Sequence, residues 1–434
     1  MTTTNLTFTP STLPQTSTPW NATDNTTLPS YPHAPPPPSL TDILRMYPDY
    51  RIAQDLGLYG CSVQIAVGTI TNLLTIAVMT RRTMMASTTC FYFALLAVGD
   101  LMVLYFASLR RLLYVANDHT DIYMKTEIAC RVMDFLTYLS YDLCSWILTA
   151  MTVDRFVAIR YPLKAAIVCT IRNAIIAIVI ITLACIAKNL HFIFTFERTE
   201  GETCLPRDRH IDFYDDVWPW IDAAFYSFIP FSLLIFFNCI IIHCHRVALK
   251  RKRSLHACGS VTTATQGSRL AGFNQRLTAM LLVVSFTFMA MTAPKVILII
   301  IREDYFEFFP PEGGINIEVV ARYSLVSAVF NFLMWTNHTI NFFLYCLSGK
   351  RFRQELLRMI VQCLHRKRNT QVFISRQRQG QGGTIPRRGS NSSVVSDDVA
   401  PAPAQLPTET EDALSRVNRW ATVTFGDRSA ANRN

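Results

Sequence analysis

The sequence predicts an all-α membrane protein: a seven-transmembrane helix bundle with a short amphipathic eighth helix. Half of the 434 residues are hydrophobic and only 17% are charged, so the chain is more apolar than an ordinary soluble domain. Seven apolar runs are long enough to cross a hydrocarbon core of roughly 30 Å. These runs centre on residues 58–79, 88–109, 132–153, 173–196, 217–242, 277–301 and 319–347.

The charges between the spans predict the orientation of the bundle. Basic residues follow the first, third, fifth and seventh spans, as in Arg246–Arg253 and Lys350–Arg368, whereas acidic residues fill the opposite loops. By the positive-inside rule the basic ends face the cytoplasm. We therefore expect a multi-pass protein of the plasma membrane with an extracellular N-terminus. The net charge of +10 is mostly a cytoplasmic surplus and argues against a nucleic-acid partner.

The composition divides the chain into four segments. Residues 1–50 are rich in Thr, Ser, Pro and Asn and are expected to be a disordered extracellular tail. Residues 51–348 hold the spans, residues 349–364 form the amphipathic helix, and residues 365–434 are expected to be a disordered cytoplasmic tail. No signal peptide opens the chain, so the first span is expected to translocate the N-terminus. Glycosylation triplets begin at Asn5, Asn21 and Asn25.

The third span carries a partly polar stripe. If residues 130–155 form one helix, Cys130 and Arg155 lie about 37 Å apart, so the two ends lie on opposite sides of the membrane. Polar groups in lipid cost several kcal/mol each, so neighbouring helices or a water-filled pocket must cover the stripe. Its members recur at three- and four-residue steps: Asp134, Thr137, Tyr138, Tyr141, Cys144, Ser145, Leu148, Thr152 and Arg155.

Cys130 and Cys204 are both predicted at the extracellular face. Nearly all of the other cysteines, of twelve in total, fall within spans or on the cytoplasmic side, where thiols stay reduced. We therefore predict a Cys130–Cys204 disulfide. Two free thiols, or Cys61 as a competing partner, remain open alternatives.

The segment Asp154-Arg155-Phe156, followed by Tyr161-Pro162-Leu163, resembles the signature of rhodopsin-like (class A) G-protein-coupled receptors. The spacing back to Cys130 also fits that family. The segment 337–353 resembles invertebrate neuropeptide receptors, including the FMRFamide-receptor type. The resemblance covers residues 56 to about 363 and implies a receptor for an extracellular neuropeptide that activates a heterotrimeric G protein.

The resemblance also implies which residues switch the receptor and contact the G protein. These are Asp154, Arg155, Leu163, Asn341 and Tyr345. The chain departs from the family pattern at several positions. Thr292 stands where the family has tryptophan, Phe342 where it has proline, and Asn274 where an acid often pairs with the third-span arginine.

The ligand-binding candidates are predicted from the face of each span on which they lie. They are Arg110, Tyr138, Tyr141, Lys188, Asp222, Lys295 and Asn331. Two alternatives stay open: Arg110 snorkels to the interface, and Lys188 pairs with Asp134 or Asp142 rather than with a ligand. Thr137 stands where amine receptors carry aspartate, and two acidic loops favour a cationic peptide. A lipid or other small molecule is the alternative ligand class.

Polar residues inside the first, second and seventh spans need partners, because they are costly in a membrane. The resemblance implies that Asn72, Asp100, Asn337 and His338 lie together, with Asn341, as an allosteric sodium site. A buried hydrogen-bond network that only joins helices is the alternative. His338 stands where the family more often has a small hydroxyl residue. No other metal site and no cofactor are predicted.

The eighth helix and the tail carry candidate modification sites. Phe352, Leu356, Ile360 and Cys363 recur at helical spacing among basic residues, which predicts a helix lying on the inner leaflet. Cys363 is either palmitoylated or an unmodified thiol. Receptor kinases and arrestin are expected partners of the tail through a group of serines. These are Ser390, Ser392, Ser393 and Ser396.

Other function classes lack the residues that they need. An opsin holds retinal on a lysine of the seventh span, and none lies between Val319 and Ser348. Repeat symmetry and glycine-broken helices, which are typical of transporters, are not found. No metal cluster, nucleophile elbow or glycine-rich phosphate loop indicates an enzyme.

Overall fold

The structure is a computed structural model that describes residues 40–380, except residues 86, 118–119, 122–124, 199–203, 258–266, 307 and 309–314. Met1–Lys367 form one compact unit, which holds all the spans, and Arg368–Asn434 form another. The predicted glycosylation and phosphorylation sites lie outside the described residues, as does most of each predicted tail.

The described chain is almost entirely helical. The first span comprises Pro48–Asp55, a π-helical turn and Cys61–Met79, and the second comprises Thr88–Val103, a π-helical turn and Leu109–Ala116. The third is Glu127–Arg160, and the fourth joins Ile171–Asn189 to His191–Thr195. The fifth joins Trp218–Ala223 through a π-helical turn, Ala224–Phe228, to Ile229–Ala257. The sixth is Gly267–Tyr305, the seventh Ile317–Ser348 and the eighth helix Lys350–Gly380. Shorter helices are Leu40–Leu44, Pro162–Val168, Asp208–His210 and Phe213–Val217.

Six of these spans are long and apolar enough to cross a membrane. The third span is long enough, at 34 residues, but is more polar in composition. It packs against the second, fourth, fifth and sixth spans at the centre of the bundle. Neighbouring helices therefore cover part of the predicted stripe, and Asp134, Thr137, Tyr138 and Tyr141 line a cavity between the spans.

The third span is fastened to the π-helical turn of the fifth. A π turn shifts the backbone hydrogen bonds, so that its carbonyls become available to neighbours. Ser145 Oγ donates to the carbonyl of Tyr226 at 2.8 Å, and Trp146 Nε1 donates to that of Phe225 at 3.1 Å. In the first span, a Cβ on Gly68 would lie 2.5 Å from Leu104 Cδ1 and 3.1 Å from Thr339 Oγ1, so a larger residue there would require these side chains to shift.

A short hairpin covers the end of the bundle at which Cys130 lies. Strand β1, Phe196–Arg198, pairs antiparallel with strand β2, Cys204–Pro206. Cys204 is disulfide-bonded to Cys130, with their Cα atoms 5.5 Å apart, which confirms the predicted pair. The backbone N–H of Arg198 also donates to the Glu127 carboxylate at 3.1 Å, which ties the first strand to the start of the third span.

Removing the disulfide is expected to lower the free energy of unfolding by about 2–5 kcal/mol. The bond closes a loop between residues 74 positions apart, so its loss gives the unfolded chain much more freedom. The measurement is thermal unfolding of purified Cys204→Ser. The control is Cys239→Ser, which changes an exposed free cysteine. Equal stability of these two variants would contradict the prediction.

Two predicted boundaries are wrong. Residues 40–50 are not part of a disordered tail, because Leu44 and Tyr50 are buried against Ala321 of the seventh span. The eighth helix does not end at residue 364 but continues to Gly380, since no proline or glycine interrupts residues 365–379.

Candidate functional site

A cavity of about 280 Å³ lies between the third, fifth, sixth and seventh spans. Five of the predicted ligand-binding residues line it: Tyr138, Tyr141, Asp222, Lys295 and Asn331. Arg110 and Lys188 do not belong to the lining. Instead, each pairs with a carboxylate that does.

Arg110 points inward rather than towards the membrane surface. Its guanidinium bonds to Asp134, a cavity-lining residue, at 2.5 Å and to Asp121 at 2.8 Å. The arginine therefore joins the second span to the third and neutralises part of the negative charge at the cavity wall.

Lys188 lies between two carboxylates from different spans. Its Nζ is 3.1 Å from Asp142 on the third span and 2.5 Å from Asp222 on the fifth. Asn189 donates a further hydrogen bond of 2.6 Å to Asp142, and the ammonium lies 4.8 Å from the centre of the Trp218 ring. When ionised, Lys188, Asp142 and Asp222 together carry a net charge of −1. Asp222 is the member of the three that lines the cavity.

Lys295 lies on the sixth span and supplies the cavity with a cation. Its Nζ donates to Ser327 Oγ on the seventh span at 2.9 Å. The lining therefore offers two carboxylates, Asp134 and Asp222, and one ammonium, which can contact ligand groups of either charge.

Aromatic side chains meet around Tyr141, which lines the cavity. The hydroxyl of Tyr141 accepts a hydrogen bond of 2.7 Å from Trp335 Nε1, which joins the third and seventh spans. The ring of Tyr226 lies 5.7 Å from that of Tyr141, and the ring of Phe288 packs edge-on against Tyr226. A ligand that moves Tyr141 therefore acts on three spans at once.

The predicted polar network lies beyond Tyr141. Asp100 Oδ1 is 2.7 Å from His338 Nδ1, and Asp100 Oδ2 accepts from Asn341 Nδ2 at 2.8 Å. Asn72 donates to the carbonyl of His338 at 2.9 Å rather than to the side chain of Asp100. Asn337 is buried in the same region. The structure thus places these residues together, while the sodium site itself stays a prediction.

The Arg155 end of the third span forms a compact cluster of charge-assisted hydrogen bonds. Arg155 donates to Asp154 at 2.6 Å and to Thr88 Oγ1 of the second span at 2.8 Å. Thr88 in turn donates to Asp154 at 2.7 Å. Asn274, which stands in the place of the acid partner on the sixth span, lies outside the residues with described side chains.

The eighth helix is anchored to the same end of the bundle. Phe352 is buried against Tyr345 and Phe342, and the buried Glu355 pairs with Arg81 at 3.2 Å. The side chain of Cys363 is exposed, as a palmitoylation site requires.

Several site residues were not assigned a role from the sequence. Trp335 and Thr88 hold predicted residues in place, and Asn189 completes the bonding of Asp142. The only signal in the sequence was a polar or indole group inside an apolar run. The partner of Thr88 lies 66 positions away in the chain and that of Trp335 lies 194 positions away, so the sequence alone does not show that they meet.

Comparison with known proteins agrees with this architecture. The family described as "7 transmembrane receptor (rhodopsin family)" matches residues 71–350, well over half of the chain. The galanin receptor type 2 of Mus musculus is 26% identical over 366 residues, which cover 81% of this chain and 89% of the relative. The growth hormone secretagogue receptor type 1 of Sus scrofa is 26% identical over 363 residues, covering 79% and 92%. The thyrotropin-releasing hormone receptor of Gallus gallus is 32% identical over 108 residues, covering 25% and 27%. The chain therefore belongs to the rhodopsin family of seven-transmembrane receptors.

Proposed function

We propose that this chain is a plasma-membrane receptor for an extracellular neuropeptide and that it activates heterotrimeric G proteins. The observation that carries this proposal is the charged, aromatic cavity between the third, fifth, sixth and seventh spans. The relatives support the same ligand class, since their names include galanin and thyrotropin-releasing hormone.

The cavity suits one end of a peptide. At about 280 Å³ it lies near the lower limit for ligand pockets, so only a few residues of a peptide can enter. Two carboxylates and the ammonium of Lys295 can bond to backbone groups and charged side chains of a peptide, whereas a lipid tail offers these polar groups no hydrogen-bond partner. The remainder of the peptide would lie near the hairpin β1–β2.

The proposed orientation places Cys130 and the N-terminus outside the cell and Arg155 inside. The distribution of basic residues supports it. In this orientation Leu163, which is 90% exposed, projects towards the cytoplasm as a hydrophobic contact for a G protein. Asn341 and Tyr345 link the polar network to the eighth helix and are proposed as parts of the switch.

Further partners are proposed from the sequence. Receptor kinases would phosphorylate the serines of the C-terminal tail, and arrestin would bind the modified tail. Palmitoylation of the exposed Cys363 would hold the eighth helix on the inner leaflet.

The proposal is tested by screening amidated neuropeptides, amines and lipids on cells that express the chain, with intracellular calcium and cyclic AMP as readouts. A peptide response is expected, and Arg155→Ala should abolish it at unchanged surface expression. Arg160→Ala is the matched control, because it removes an exposed arginine from the end of the same helix.

Each outcome of the screen has a definite meaning. A response to a lipid or an amine but to no peptide would overturn the neuropeptide assignment. A peptide response that persists in Arg155→Ala would overturn the proposed role of Arg155.

A further inference from the structure

Three metal-ligating side chains from three different spans meet in the centre of the bundle. They are Asp100 of the second span, Cys144 of the third and His338 of the seventh, and one ligand atom of each lies within 4.8 Å of the others. The Cys144 thiol is 3.9 Å from Asp100 Oδ1, and His338 Nδ1 is 2.7 Å from the same oxygen. All three side chains are buried.

This donor set differs from the one that sodium prefers. A hard cation is bound by oxygen atoms, whereas cysteine sulfur, histidine nitrogen and carboxylate oxygen together are the ligands of zinc. A tetrahedral zinc site with bonds of 2.0–2.3 Å spaces its ligand atoms about 3.3–3.8 Å apart. The distance of 2.7 Å between His338 Nδ1 and Asp100 Oδ1 is shorter than that range, and the distance of 3.9 Å between Cys144 Sγ and Asp100 Oδ1 is slightly longer. Side-chain movements of about 1 Å would therefore form the site.

The surroundings offer further ligands and support for the cluster. Asn341 donates to the second oxygen of Asp100 and so fixes the direction of the carboxylate, as outer-shell partners of metal sites do. The Oδ1 atoms of Asn341 and Asn337 and the Nε2 atom of His338 are buried and have no hydrogen-bond partner within the described part of the chain. Buried polar atoms are normally paired, so a bound ion with its water ligands would supply the partners that these atoms lack.

The cluster lies next to the ligand cavity. The ring of His338 is 6.3 Å from that of Tyr141, which lines the cavity. Tyr141, which is bonded to Trp335, therefore borders both the cavity and the cluster.

We propose that Asp100, Cys144 and His338 bind Zn²⁺ or a similar borderline-soft divalent metal ion. A fourth position is open to Asn341 Oδ1 or water. Binding replaces the thiol proton of Cys144, which is released to the solvent. The ion joins the second, third and seventh spans, so it stabilises the conformation in which the three ligands converge and modulates signalling from the ligand cavity. This inference does not depend on the identity of the peptide.

The test uses the purified full-length receptor in detergent, freed of metal with a chelator. Zn²⁺ at about 100 times its dissociation constant is expected to raise the melting temperature by about 3–5 °C. Co²⁺ is expected to give the absorption bands of a tetrahedral ion with a thiolate ligand. Both effects should be lost in Cys144→Ser and in His338→Asn. They should persist in the control Cys185→Ser, which alters a buried free cysteine of the fourth span.

Three outcomes would overturn the proposal. Zn²⁺ stabilisation that survives in Cys144→Ser and His338→Asn would place the ion elsewhere. Stabilisation by NaCl relative to choline chloride, without any effect of Zn²⁺, would show an oxygen-ligated sodium site. Absence of both effects in the well-folded wild type would show a hydrogen-bond network that holds no ion.

Discussion

Lys188→Met is expected to lower the free energy of unfolding by about 3–5 kcal/mol, because it leaves two carboxylates without their shared cation. Asp142 is the more severely affected of the two. It is 1% exposed, whereas Asp222 is 21% exposed and retains access to the cavity. The measurement is the melting temperature of the purified receptor, which should fall by about 5–10 °C.

Two further variants separate loss of charge compensation from loss of packing. Lys188→Arg keeps the cation and should retain most of the stability. Adding Asp142→Asn to Lys188→Met removes the stranded carboxylate and should recover much of the loss. If the double variant is no more stable than Lys188→Met, the loss arises from packing around the lysine stem rather than from charge.

The sequence predicted the architecture because the membrane constrains it strongly. Apolar runs, basic ends and the paired Cys130 and Cys204 are signals that can be read without knowing which helices touch. Membership of the rhodopsin family confirms the predicted seven-helix fold and a receptor rather than an enzyme. The eighth helix was predicted too short: residues 365–379 were assigned to a disordered tail, but they contain no proline or glycine and continue the helix.

The site was predicted less completely, since its function depends on which side chains meet. The helical face on which Asp222 and Lys295 lie was enough to predict that they border the cavity, and both line it. The same criterion could not decide whether Lys188 contacts a ligand or another protein group. The structure shows that Lys188 bonds to both Asp142 and Asp222.

Helical periodicity also could not show that Cys144 faces Asp100 and His338, because those residues are separated from it by 44 and 194 positions. Whether the FMRFamide-type resemblance reflects the ligand stays a prediction.

Thr88→Val is expected to raise ligand-independent signalling. The hydroxyl of Thr88 joins the second span to Asp154 and Arg155 through two hydrogen bonds of 2.7 and 2.8 Å. Hydrogen bonds to charged groups contribute about 1.5–3 kcal/mol each. If this cluster restrains Arg155 in the resting receptor, loss of the contribution of even one of these bonds, about 1.5–3 kcal/mol, shifts the conformational equilibrium by at least about 10- to 100-fold towards the signalling state.

The neighbouring residue supplies a control with the same change of chemistry. Thr89 is as deeply buried as Thr88, but its hydroxyl has no hydrogen-bond partner in the described residues. Thr89→Val should therefore leave basal signalling close to that of the wild type.

The measurement is basal G-protein activation in membranes containing equal amounts of each receptor. A rise in both variants would point to general loosening of the second span. A rise in neither would show that Thr88 does not restrain Arg155, although Asp154 still bonds to the guanidinium at 2.6 Å.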